Sequence, residues 1–203
     1  MSVDVVIIDS GGANLASLGI ALQRLGARSQ VSADPETIRA APRVLLPGVG
    51  SAGDAMQRLR AAGLERVLPG LRQPLLGICL GMQLLFERSA EGDTAGLGIL
   101  PGRVERLAAA AGRPEPHMGW NTLEPRGADP LLEGIAAGEY FYFVHSYALR
   151  PAATTLATTL ATTDYGGPLV AVAGRDNFRG VQFHPERSGP AGAKLLANFL
   201  RLT

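Results

Sequence analysis

Pro74-Leu75-Leu76-Gly77-Ile78-Cys79-Leu80-Gly81-Met82-Gln83 sets the only cysteine of the chain between two glycines at the end of an apolar run. Leu75, Leu76 and Ile78 make the short pattern of a buried strand, and Met82, Leu84, Leu85 and Phe86 begin a helical one, which puts Cys79 at a strand-to-helix turn. Such a turn is a nucleophile elbow. The flanking glycines leave room for tight, strained backbone and for close approach of a substrate, the logic of Gly-x-Ser-x-Gly with sulfur replacing oxygen. The start of a helix also offers unpaired N–H groups that favour a thiolate. The plain alternative is a small hydrophobe packed between glycines.

Working outward, the elbow fits an open α/β architecture. Val3 to Ile8 is a β-branched run ended by Asp9-Ser10-Gly11-Gly12, the pattern of a first buried strand. Asn14 can cap the helix that follows, in which Leu15, Leu18, Leu22 and Leu25 recur at three- and four-residue steps before Gly26. Arg28 to Val31 reads as a second strand, Pro35 to Ala40 as a short helix after Asp34, and Val44 to Leu46 as a third strand stopped by Pro47. A parallel βαβαβ order follows. Pro47-Gly48-Val49-Gly50 then leads into a helix from about Ala52 to Leu59. It is either a plain turn or, at the C-terminal end of a strand where open α/β sheets bind ligands, a backbone donor for a developing oxyanion beside the Leu80 N–H.

Beyond Phe86 the pattern loosens. Glu87 to Thr94 reads as a polar loop on the active-site side, Gly96 to Gly102 as a turn-rich link, and Arg103 to Leu107 as an antiparallel edge with Val104 facing in. His117-Met118-Gly119-Trp120-Asn121 reads as a glycine-flexible loop, where an isolated tryptophan serves either packing or contact with another molecule. Glu139 to Tyr147 is an aromatic-rich strand, and further strands are expected at Thr154 to Thr163, Leu169 to Ala173 and Gly180 to Phe183. Pro190 opens a final amphipathic helix.

The 203 residues, with 46% hydrophobic content, are enough for one full core, so residues 1–203 are read as a single domain. One cysteine excludes an internal disulfide, and with only three histidines no structural zinc set is evident, so no metal is expected and a reducing cytoplasm fits. No stretch is apolar for long enough to span a membrane, and the start lacks a targeting pattern. A net charge of +1 with scattered arginines argues against nucleic-acid binding.

A thiolate nucleophile needs a proton carrier, and the carrier needs an orienting group. His184-Pro185-Glu186 supplies both if the segment is extended, because residues i and i+2 then project to one side and Glu186 can steady the imidazole. His145 is followed by Ser146, and His117 has no acidic neighbour at short range. For these two a satisfied structural histidine is the leading reading, with a binding role as the alternative.

The elbow together with Gln182-Phe183-His184-Pro185-Glu186 resembles the class I (triad) glutamine amidotransferases over nearly the whole chain. Within that family, Asp9 to Leu15, Pro47 to Gly50, His117 to Asn121, Phe143 to Tyr147 and Thr163 to Gly166 are similar to the glutaminase subunits of imidazole glycerol phosphate synthases. Two positions depart from that pattern: Ser10 stands where tyrosine is usual, and Arg187 where lysine is usual.

The resemblance implies a flavodoxin-like fold, with a largely parallel central sheet, flanking helices and antiparallel strands in the C-terminal half. It implies a Cys79, His184 and Glu186 triad that hydrolyses glutamine through a thioester, without a cofactor. It also implies an oxyanion hole from the Leu80 N–H with Val49 or Gly50, and contacts to glutamine from Gln83, Glu91 and the Ser146-Tyr147 backbone. The implied partner is a separate (β/α)8 cyclase subunit in a heterodimer, touched by Met118, Trp120, Asn121 and Arg187 and supplied with the ammonia. The Val49 peptide would be the switch that keeps the enzyme idle without its partner. Competing readings are another class I amidotransferase subunit of the anthranilate or pyridoxal phosphate synthase type, a cysteine hydrolase or chaperone sharing the elbow, and a non-catalytic binding module.

Overall fold

The structure is a computed structural model that describes residues 3–10 and 15–203. In chain order the elements are β1 (Val5–Ile8), α1 (Leu15–Arg24), β2 (Ser29–Ser32), α2 (Pro35–Ala40), β3 (Val44–Gly48), α3 (Ala52–Ala61), α4 (Leu64–Val67), β4 (Leu75–Cys79), α5 (Leu80–Leu84) and β5 (Phe86–Ser89). There follow β6 (Thr94–Ala95), β7 (Leu100–Arg106), β8 (His117–Pro125), β9 (Glu139–His145), β10 (Tyr147–Ala148), β11 (Thr159–Asp164), β12 (Pro168–Arg175), β13 (Phe178–Val181) and α6 (Gly189–Arg201). Asn14, expected to cap α1, lies outside the described residues.

Among the described residues, nine strands pair in the order β2-β1-β3-β4-β13-β12-β11-β8-β9. Pairing is parallel from β2 through β4 to β13, and antiparallel from β13 onward. Parallel strands are joined by helices that must cover the faces of the sheet, which is why β1, β3 and β4 are buried along their whole length. Leu18, Leu22, Leu195, Leu196 and Phe199 of α1 and α6 pack on one face with Val5, Ile7, Leu45, Leu76 and Ile78. Ile38, Met56, Leu59, Leu64 and Met82 pack on the other with Val6, Ile8, Val44, Leu46 and Leu75. Each fully buried Leu or Ile contributes about 1.5–3 kcal/mol of transfer free energy.

Local signals set the helix starts. Asp34 Oδ2 accepts from the Thr37 N–H at 2.8 Å and Pro35 opens α2, and Ser51 Oγ accepts from the Asp54 N–H at 3.2 Å at the start of α3.

Several expectations are corrected. The segment after the elbow is not a long helix and loop: α5 ends at Leu84, and Phe86 already lies in a second sheet with the order β10-β7-β5-β6. The expected antiparallel edge, β7, is an inner strand of that sheet, antiparallel to β10 but parallel to β5, and Val104 is buried as expected. His117 to Asn121 forms a strand rather than a loop, because the alternation of buried His117 and Leu123 with exposed Met118 and Trp120 has period two. Residues 154–158 turn before β11, held by the Thr155 hydroxyl and the Ala152 backbone.

Candidate active site

Cys79 ends β4 and precedes α5 with φ +54° and ψ −112°, a conformation that a non-glycine residue holds only where its surroundings impose it. The flanking glycines explain how. A Cβ on Gly81 would lie 1.8 Å from the Leu46 carbonyl oxygen, one on Gly77 2.7 Å from the Gly81 carbonyl oxygen, and one on Gly48 2.7 Å from the Gly81 nitrogen. These glycines are therefore needed to press α5 onto β3 and β4. That is the tight backbone expected of the motif.

His184 reaches Cys79 because β13 pairs parallel with β4, with Val181 opposite Ile78. The expected extended geometry of His184 to Glu186 is replaced: His184 is extended, but Pro185–Arg187 is a single 3₁₀ turn that folds Glu186 back. His184 Nδ1 and Glu186 Oε1 are 2.9 Å apart, and the two side chains are 8% and 1% exposed. With Nδ1–H donating to the carboxylate, Nε2 is the atom left to serve sulfur. Burial alone would depress the His184 pKa. Hydrogen bonds to Cys79 and Glu186, with the charges of both, outweigh it and raise the value to about 10.

A cleft of about 540 Å³ opens over the cysteine, lined among others by Val49, Gly50, Leu80, Gln83, Glu91, Ser146, Tyr147 and His184. The structure thus brings together every residue expected in the triad, oxyanion hole and substrate contacts. Gly50 has φ +86°, a turn that glycine makes without strain. The Gln83 amide donates to the Tyr147 carbonyl at 2.8 Å and to Gln182 Oε1 at 3.0 Å, so both its hydrogens are already engaged. Glu91 accepts from the Ala52 N–H at 2.7 Å, which ties it to the start of α3 as well as to the cleft.

The residues expected at a partner surface divide. Met118 and Trp120 project from the exposed face of β8, and Trp120 meets the Tyr142 ring edge-on at 5.9 Å. The Arg187 guanidinium stands 4.6 Å over the same ring. Asn121 turns to the opposite face of β8 and donates to the Asp164 carbonyl at 2.8 Å.

Sequence reasoning missed two contributors. Gln182, two residues before His184, is buried and donates toward Cys79 Sγ at 3.8 Å; its place opposite the elbow follows from the β13–β4 register, which only pairing reveals. Ser10, noted only as a departure from the family pattern, donates its hydroxyl to the Pro47 carbonyl at 2.8 Å and so holds the base of the segment that carries Val49.

A cysteine held at a strained elbow, with an imidazole and a buried carboxylate in line behind it, defines a thiol-dependent amide hydrolase of the α/β type. Residues 6–202 match the family described as glutamine amidotransferase class-I, and the chain belongs to that family. It is a glutamine amidotransferase. It is 52% identical over 199 residues to imidazole glycerol phosphate synthase subunit HisH of Xylella fastidiosa strain Temecula1, with 98% of each chain covered. The subunit of the same name from Xanthomonas euvesicatoria pv. vesicatoria is 50% identical over 200 residues, again with 98% of each chain covered. Among solved structures, a glutamine amidotransferase superposes with TM-score 0.74 at 22% identity, covering 97% of this chain and 96% of that one. Thermotoga maritima PurLQS superposes with TM-score 0.75 at 18% identity, covering 98% of both. These two likenesses establish the fold.

Proposed function

We propose that the chain is the glutaminase subunit of an imidazole glycerol phosphate synthase, acting as one domain in the cytoplasm and docked on a (β/α)8 cyclase subunit. The observation that carries the catalytic part is the contact of Cys79 with His184, whose Nδ1 lies 2.9 Å from the buried Glu186 carboxylate. The extent of likeness to the HisH subunits supports the pathway.

The chemistry follows from the arrangement. His184 takes the Cys79 proton, and the thiolate attacks the side-chain carbonyl carbon of glutamine, forming a C–S bond. The oxyanion is received by the Leu80 N–H and a second N–H from Val49 or Gly50. His184 then gives its proton to the departing nitrogen, the C–N bond breaks, and ammonia leaves from a γ-glutamyl thioester. Water, deprotonated by His184, attacks the thioester; glutamate departs and the thiol is restored. Glu186 keeps the imidazole in the tautomer this cycle needs. Gln83, Glu91 and the Ser146-Tyr147 backbone seat the substrate, and the ammonia passes to the cyclase, which forms imidazole glycerol phosphate and an aminoimidazole carboxamide ribotide. The docking face is the exposed Met118, Trp120 and Arg187 around the half-buried Tyr142 ring, a set of apolar groups and one arginine that suits an interface core.

Glutamate release from glutamine is the test, measured for the chain alone and with the cyclase and its nucleotide substrate. Turnover that rises strongly on adding both is expected, with the Val49 peptide as the switch. Equal rates with and without the partner would overturn the coupling, and no turnover in the complex would overturn the function.

A further inference from the structure

The catalytic cycle uses one histidine, yet His117 and His145 are equally buried. They face each other across the β8–β9 pair, and their rings are joined by His117 Nδ1 to His145 Nε2 at 3.0 Å. His145 Nδ1 lies 2.9 Å from the Tyr147 carbonyl, and Asn121 Nδ2 lies 3.2 Å from His117 Nε2. The direction of every hydrogen bond in this row is fixed from both ends. A backbone carbonyl only accepts, so His145 carries its proton on Nδ1 and accepts on Nε2, and His117 must in turn donate from Nδ1. At the other end, Asn121 Oδ1 accepts from the Thr122 N–H at 2.8 Å while Nδ2 donates to the Asp164 carbonyl, so Nδ2 is the atom that meets His117 Nε2. The two derivations agree, and they leave no position for an additional proton. Burial pushes His117 down to about 4; burial, with the charge of His117, pushes His145 down to about 3. His117 is further clamped between Tyr165, with centroids 4.0 Å apart, and Phe143 at 4.9 Å.

The row ends on the carbonyl of Tyr147, which also accepts from Gln83. Two donors on one carbonyl fix the plane of the Tyr147–Ala148 peptide, and through it the conformation of Tyr147, which with Ser146 lines the cleft. We propose that Asn121, His117 and His145 are positioning residues for glutamine, a one-way hydrogen-bonded row that holds the Tyr147 carbonyl so that the Ser146-Tyr147 backbone presents its N–H groups to the substrate α-carboxylate. This rests on the function proposed above. The row makes no direct hydrogen bond to Cys79 or His184 and reaches the sulfur only through the Tyr147 carbonyl, Gln83 and Gln182 in turn, so its main effect is on binding rather than on the chemical step.

The test uses the full chain in complex with its cyclase subunit. His145→Leu removes one of the two donors to the Tyr147 carbonyl and is expected to raise the KM for glutamine about tenfold, the effect of one lost hydrogen bond on a buried carbonyl that keeps its bond from Gln83, with kcat within about threefold. His145→Asn, whose amide nitrogen takes the place of Nδ1, recovers most of the loss, and His117→Asn is milder than His117→Leu for the same reason. Alkylation of Cys79 by iodoacetamide without glutamine keeps its rate in all four. An unchanged KM in His145→Leu, or a fall in kcat alone, would overturn the proposal. Should the leucine variants not fold, imidazole ¹⁵N shifts of the wild-type complex decide: both rings are expected as Nδ1–H tautomers, and an Nε2–H tautomer in either overturns it. The tautomers do not depend on the enzyme activity, so absence of glutaminase in the wild-type complex would instead count against the proposed function.

Discussion

His184 and the His117–His145 pair are buried to a similar degree, at 6%, 3% and 6% exposure, the first just beyond β13 where parallel pairing gives way to antiparallel, the pair on β8 and β9. Their protonation nevertheless runs in opposite directions. His184 meets a carboxylate and a thiol and is raised to about 10, whereas His117 and His145 meet each other, an amide and a carbonyl and fall to about 4 and about 3. Burial penalises the charged imidazole in each case, so the partner atoms decide the outcome. One environment makes a proton carrier; the other makes a rigid spacer that cannot carry one.

The comparison can be broken most sharply at its catalytic end. His184→Ala is expected to lower kcat for glutamine hydrolysis in the complex by on the order of 10⁵-fold or more, and Cys79→Ala to remove it to the same level, because the two act as a unit. Glu186→Gln leaves the imidazole buried but withdraws its negative partner. A loss on the order of 10³–10⁴ in kcat is expected, and the His184 titration followed by NMR should move down from about 10. An unmoved titration would mean that Glu186 does not set the charge of His184.

Smaller effects separate the two faces of β8. Trp120→Ala, on the face away from His117, is expected to weaken cyclase binding by roughly 30-fold, read by titration calorimetry, while leaving the Tm of the isolated chain within a few degrees. Smallest is the pH dependence of stability, where the two environments oppose each other. The His184 pKa is raised on folding, so its contribution is full below pH about 6.5 and lost as pH rises through about 10. The values for His117 and His145 are lowered, so their contribution is present above about 6.5 and lost as pH falls through about 4 and about 3. Thermal melts across pH should show the histidine contribution greatest near 6.5, and His117→Asn should flatten the acid limb alone.

Much of this could be read without coordinates. Val44 to Leu46, Leu75 to Ile78 and the leucine steps from Leu15 to Leu25 carry their period in plain view, and Asp34 with Pro35 signals a helix start that the structure keeps. The second sheet was not legible, since Phe86 to Ser89 and Leu100 to Arg106 gain their strand character only by pairing with each other. His117 to Asn121 misled through Gly119, which suggested a loop. In the structure it occupies a strand at φ +134°, and the exposed Met118 and Trp120 disguise a period-two face.

The sequence by itself determined the elbow, its nucleophile and the histidine with a carboxylate two residues on, because strand-to-helix switching and short-range spacing are local properties. It also determined the family. Only the tertiary structure decided that the elbow glycines serve the close contact of α5 with β3 and β4, that Gln182 lies beside the sulfur, and that His184 gains a proton where His145 is denied one. Those outcomes depend on which atoms from distant strands meet in a medium too poor in water to screen them, and strand register, not sequence spacing, brings such atoms together.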